Sequence, residues 1–200
     1  MKPYAFAAFA LGLSLVSGIA AAETPPTRTR GTIEQVTDQS VAVKTRDGKT
    51  ISIKLTADTK VLGATHAEIG DIKPNSYIGS AAVPQPDGSL KALEVSVFDP
   101  ALRGVGDGHY AWDLGKNSTM TNGAVGDLVV SSGRTMTVKY NGGEKKITVP
   151  DDVPIVAVAP GDRSLLKAGV RVVVIAPKAE DGSLTAAVVV AGQNGVVPPL

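Results

Sequence analysis

The sequence predicts an all-β protein: two small antiparallel, five-stranded OB-like barrels in tandem, joined by a glycine-rich linker. Three observations lead there. Apolar β-branched residues alternate with polar ones in short runs, glycine-containing turn dipeptides separate the runs, and the whole pattern occurs twice. A strand that buries one face shows period two. Self-similarity over many tens of residues takes precedence over any single-domain reading.

In the first repeat, Val41 and Val43 alternate with Ala42 and Lys44, and Ile51, Ile53 and Leu55 with Ser52 and Lys54. Asp47-Gly48 lies between them and readily takes the positive φ of a tight hairpin. Val61-Leu62 is a short further strand, and 66–73 (HAEIGDIK) holds a helical turn, with Ile69 and Ile72 at i, i+3. Segments 77–83 and 90–98 form a second hairpin across PQPDGS, with Leu93, Val95 and Val97 on a face opposite Glu94 and Ser96.

The second repeat opens at 126–130. Met136, Val138 and Tyr140 alternate with Thr137 and Lys139, Asn141-Gly142-Gly143 makes the turn, and Ile147 and Val149 follow. After 154–158 and the mixed segment RSLLKAG comes the nearly continuous apolar run 170–176, which suits a strand buried on both faces. A last strand covers 184–190. Val43-Lys44 matches Val138-Lys139, and Asp87-Gly88-Ser89-Leu90 returns intact as Asp181-Gly182-Ser183-Leu184. Three strands, a short insert and two further strands suit an OB-type barrel, which closes its own edges. A small β-sandwich is the rival arrangement.

The expected organisation is therefore a signal peptide (1–22), a flexible polar leader (23–30), a first barrel (31–99), a linker (100–123), a second barrel (124–192) and an irregular tail (193–200). Lys2, the apolar run 5–16, and Ala20 and Ala22 before Glu23 form a secretory signal sequence cleaved after Ala22. A periplasmic or secreted bacterial protein with no transmembrane span in its mature chain follows from that. Cysteine is absent, so disulfides, thiolate zinc sites and cysteine nucleophiles are excluded. Lys+Arg 20 against Asp+Glu 19 leaves no basic field for neutralising phosphates, and 4% aromatic residues are too few for a base-stacking platform. Nucleic acid is thus not expected as a partner; an envelope protein or a small ligand is.

A Gly-initiated strand, a V-x-V-K strand, an xG turn, an I-x-I strand and a closing D-G-S-L-x-A strand together resemble a widespread bacterial family of exported β-barrel domains of unknown function. The linker GDGHYAWDLGKNSTMTN is similar to the form between paired domains of proteobacterial members. The resemblance covers 31 to the C-terminus and implies an exported OB-like barrel protein, with no catalytic residues to carry over. Some members carry automatic labels as metal-transporter permeases; with no span left after the signal peptide, this sequence does not support that label.

The linker segment 103–122 holds the only Trp, one of two His and four glycines, and long Gly-rich connections between domains often pack or bind. Three readings follow. Arg103, His109, Tyr110, Trp112 and Asp113 make a candidate ligand site, with Trp112, Tyr110 and Arg103 as a platform for a sugar or peptide. Asp107, His109 and Asp113 are a candidate metal set, since imidazole and carboxylate suit zinc or manganese. Alternatively Trp112 and Tyr110 plug the gap between barrels while His109 and Asp113 bond to backbone. Ser118 near His109 invites a hydrolase reading, but neither GxSxG nor SxxK accompanies it. The function expected is a non-catalytic binding or scaffolding module of the periplasm or cell envelope, without a cofactor. The alternatives are a metal- or small-ligand-binding protein using His109 and, third, a hydrolase.

Overall fold

The computed structural model describes residues 25–129 and 134–199; the expected signal peptide, 1–22, lies outside them. The protein is all-β. The first repeat contributes β1 (Thr27–Val36), β2 (Ser40–Thr45), β3 (Thr50–Lys54), β4 (Lys60–His66), β5 (Tyr77–Pro84), β6 (Leu90–Ala92) and β7 (Val95–Phe98). Then β8 (Gly108–Ala111) precedes the second repeat: β9 (Thr119–Val129), β10 (Thr135–Tyr140), β11 (Gly143–Thr148), β12 (Ile155–Pro160), β13 (Arg171–Ala176) and β14 (Val188–Gly192). The insert of each repeat is a single 3-10 turn, Ile69–Asp71 and Arg163–Leu165. No helix among the described residues is long and apolar enough to cross a membrane.

Strand pairing closes one five-stranded barrel completely: β5 pairs with β9, β9 with β10, β10 with β11, β11 with β6, and β6 with β5. The matching path elsewhere runs β13–β1–β2–β3 and closes through bridges from Lys54 to Thr185 and from Lys178 to Leu184. Between them β14 runs parallel to β4, β4 antiparallel to β12, and β12 parallel to β7. Read from either end, this ladder is the same, with the β4–β12 pair at its centre.

The expectation of two consecutive barrels, 31–99 and 124–192, differs from how the cores assemble. One core joins Ile33, Val41, Val43, Ile53 and Val61 to Leu166, Val172, Val174 and Val189. The other joins Ile72, Ile78, Leu90 and Val95 to Val125, Met136, Val138, Ile147 and Ile155. Neither is built from one repeat alone. Each repeat supplies its first four strands to one core and its 3-10 turn and later strands to the other. A third, smaller cluster of Ala64, Ala81, Met120, Val173 and Val190 draws on both repeats as well. The apolar run 170–176 is buried on both faces as expected, because Val172 and Val174 face the first core while Val173 faces this third cluster.

Three local expectations are also corrected. The leader is not irregular throughout: β1 begins at Thr27, where alternation puts Thr29 inside. Nor is the linker one loop, since β8 folds back antiparallel on the start of β9, pairing Gly108 with Asn122 and Ala111 with Thr119. The 90–98 strand is broken, because the amides of Leu93 (2.7 Å) and Glu94 (3.3 Å) both point to the Ala81 carbonyl. Two residues opposite one is a bulge, and a bulge shifts the alternation that follows. Glu94 therefore turns inward and is fully buried, with neighbouring Val95 and Ser96 buried too.

Gly31 in β1 and Gly123 in β9 occupy equivalent places. A Cβ on Gly31 would run into the carbonyl oxygen of Lys44, and one on Gly123 into that of Lys139; both would lie 2.8 Å from the carbonyl carbon. Backbone cannot give way as a side-chain tip can. Gly31→Ala and Gly123→Ala are each expected to cost about 2–4 kcal/mol, read as a lower urea midpoint. A midpoint unchanged in both variants refutes the close approach.

Candidate functional site

In β1 the alternation Thr-Arg-Thr-Arg sends Arg28 and Arg30 to the outer face, where they meet the turn that follows β8. The Arg28 guanidinium lies 3.6 Å from the Trp112 ring centroid, a cation–π stack. Arg30 makes a bidentate pair with Asp113, Nη2 to Oδ1 at 2.7 Å and Nη1 to Oδ2 at 3.1 Å. The turn is held by Ser118: its backbone carbonyl accepts from the Trp112 amide (2.8 Å), and its Oγ donates to the Trp112 carbonyl (3.0 Å). Trp112 and Leu114 pack against the third cluster, between the two main cores.

Burial opposes the charge on Asp113, but the Arg30 hydrogen bonds and the charges of Arg30 and Arg28 outweigh it and hold this carboxyl below its ordinary range. A depressed acid stabilises above its unfolded-state pKa and loses that contribution as pH falls through its folded-state pKa. Asp113→Asn is expected to cost about 1 kcal/mol at pH 7, the carboxylate being partly exposed. The gap to wild type should close in acid. Equal urea midpoints at pH 7 would show the pair to be idle.

The five expected ligand residues do not form one group. Trp112 and Tyr110 are neighbours, ring centroids 6.0 Å apart. Arg103 lies elsewhere, over the Tyr77 ring at 5.7 Å and bonded to the Asn75 carbonyl. His109 points to the other side of β8, stacked on Tyr140 at 6.0 Å with Nδ1 2.8 Å from Thr121 Oγ1. Burial and the charge of Lys145 push the His109 pKa down. The expected metal set is divided in the same way. Asp107 accepts from the Asn141 amide (2.7 Å) and the Tyr77 hydroxyl (3.2 Å), while Asp113 is tied to Arg30. Among the described residues, no group of three or more His, Asp or Glu side chains is placed to hold a metal ion. Ser118 and His109 are likewise committed to different partners.

The arrangement does form a cleft of about 500 Å³ beside the Arg30–Asp113 pair, within the range of small-ligand and peptide pockets. One wall is cationic: Arg30, Lys44, Arg46 and Arg171 all line it, with no acidic residue among the lining groups. Register explains the clustering. Lys44, Thr32 and Arg171 face one another across β2, β1 and β13, and Arg30 lies two residues along β1 on the same face. Lys44 is 3.4 Å from Glu34 and Arg30 holds Asp113, whereas Arg46 and Arg171 make no ion pair among the described residues. Leu93, Leu114, Val197 and Pro198 supply apolar surface.

Sequence reasoning missed Arg28, Arg30, Lys44, Arg46 and Arg171. A signal for the first two was present: Thr27-Arg28-Thr29-Arg30-Gly31 recurs as Thr119-Met120-Thr121-Asn122-Gly123. That match extends the repeat into the leader and places both arginines on a strand. Compared with protein-family models, curated proteins and solved structures, the chain gives no match.

Proposed function

We propose that this is an exported, non-catalytic binding or scaffolding module of the bacterial periplasm or cell envelope, and that it binds through the cleft beside Arg30. One observation carries the reading. Four cationic side chains converge on an open cleft with apolar surface, and two of them, Arg46 and Arg171, have no ion-pair partner among the described residues. Like charges gathered in this way repel one another, so the arrangement favours an anionic group from outside. We read the two cores as OB-like barrels that have exchanged strands. The N-terminal pattern 1–22 and the resemblance to exported barrel domains support the location. Ser118 and His109 bond to Trp112 and Thr121 and not to each other, so they do not form the nucleophile–base pair a hydrolase reading needs of them.

Two measurements test this. The protein recovered from a periplasmic extract should have the mass of a chain beginning at Glu23; a full-length chain retained in the cytoplasm overturns export. A photo-crosslinking residue at position 44 should give a discrete adduct in cells, absent when the same group is placed at position 146 on β11. The same adducts from both positions, or none from 44, remove the cleft as the binding site.

A further inference from the structure

The second repeat contains a counterpart of the cleft, and a stretch of the chain's own peptide is hydrogen-bonded along it. The row Lys44–Thr32–Arg171 corresponds strand for strand to Lys139–Ala124–Tyr77. Two residues further along each hairpin, Arg46 corresponds to Asn141; two residues back along β1 and β9, Arg30 corresponds to Asn122. Tyr77, Lys139 and Asn141 line a small pocket together with Arg103, Gly104 and Asp107 of the linker.

The linker is held there by its own carbonyl and carboxylate. The Val105 carbonyl accepts from Asn122 Nδ2 and the Tyr77 hydroxyl, both at 3.3 Å. The Asp107 carboxylate accepts from the Asn141 amide at 2.7 Å and the Tyr77 hydroxyl at 3.2 Å. At the equivalent positions the cleft carries Arg30 for Asn122 and Arg171 for Tyr77, both side-chain donors, and Arg46 for Asn141, which donates to Asp107 through its backbone N–H. The linker-side site gathers Arg103 and Lys139 with an acid in cis, Asp107; the cleft gathers Arg30, Lys44, Arg46 and Arg171 with no acid among its described lining residues, and Asp113 and Glu34 at its edge pair with Arg30 and Lys44 alone.

We infer that the cleft binds an acidic peptide segment of a partner protein, seated as residues 105–107 are seated in its counterpart, with an Asp or Glu side chain against Arg46 and Arg171. The inference rests on the proposed binding role of the cleft and names its partner chemistry. Guanidinium forks match carboxylates in two-point geometry, and the apolar surface of Leu93, Leu114 and Val197 receives the residue two before the acid, the place of Val105 in the linker. Arg30, already paired with Asp113, borders the site and keeps one end of the cleft in place.

The test is an amide NMR titration of the mature protein with the capped peptide GVGDG, with GVGNG, hexanoate and inorganic phosphate as comparisons. GVGDG should give saturable shifts at residues 30–32, 44–46 and 171–172, with affinity falling at least about tenfold for GVGNG and for the Arg46→Glu/Arg171→Glu double variant. Both arginines are exposed, so the variant should keep its fold; Lys146→Glu, a charge reversal on β11, should bind as wild type. Equal response to the two peptides, or no loss on double charge reversal, overturns the inference. If hexanoate or phosphate shifts these residues and GVGDG does not, the cleft binds but peptide is the wrong class. If no probe shifts them, the inference and the reading beneath it both fall.

Discussion

A chain cut within Gly104–Gly106 should remain a single particle. The fragments on either side should co-elute and unfold in one transition, and neither should form a native monomer alone. The reason is the exchange of strands. Remove the second repeat and β1 loses β13, β4 loses both β12 and β14, and Ile33, Val41, Val43 and Ile53 lose the cover supplied by Leu166, Val172, Val174 and Val189. Side-chain ties across the repeats go too: Arg163 donates to the Asp38 carbonyl at 2.6 Å, and Thr59 Oγ1 to the Ala186 carbonyl at 2.8 Å. The expected loss is the whole folding free energy of the isolated half, of order 5–15 kcal/mol. Size-exclusion chromatography and calorimetry of the nicked protein check it. A monomeric 25–104 fragment with a dispersed NMR spectrum would refute the exchange.

Stability should fall as pH rises toward neutrality, and Glu94 should be the cause. Its carboxyl is fully buried, accepting from the Ala81 amide (3.1 Å) and Ser96 Oγ (3.2 Å). Burial raises its pKa from 4.5 to about 7, against the smaller opposing effects of those hydrogen bonds and of Arg30. The folded state thus holds a proton that the unfolded chain releases above its own, lower pKa. The contribution is complete below about pH 4.5, declines between there and about pH 7, and is absent above; the span corresponds to about 3 kcal/mol. Glu94→Gln keeps an acceptor for Ala81 and a donor for Ser96 without the charge. It should flatten the profile and be more stable than wild type at pH 8. Urea melts of both proteins from pH 5 to 8 decide the matter, and parallel profiles would show Glu94 to be irrelevant.

The strands were legible wherever one face is apolar. Val41, Val43, Met136 and Val138 fall where alternation puts them, and the Asp47-Gly48 and Asp181-Gly182 turns have glycine at positive φ. Which copy pairs with which was not legible. Ile78 and Val172 are both apolar at matched positions and so fit either barrel equally well; the chain's route between β4 and β5 decides, and no residue pattern marks it. A strict period of two places Glu94 on the solvent face, whereas the bulge at Leu93 resets the count. In the linker, composition singles out the residues but does not group them. Asp107 and His109 lie toward β10 and Asp113 toward β1, a separation set by four residues of strand and turn rather than by composition.

The exchange also fixes when folding can finish. Arg28 pairs with Ile175 and Val61 with Val189, contacts that span most of the chain. On a ribosome adding roughly 5–20 residues per second, β1 to β4 emerge well before any strand able to complete their core. The β5–β6–β9–β10–β11 barrel can close earlier, but the first core stays open until the last strand has been made, and β1 to β4 must be kept from pairing with other molecules during that interval.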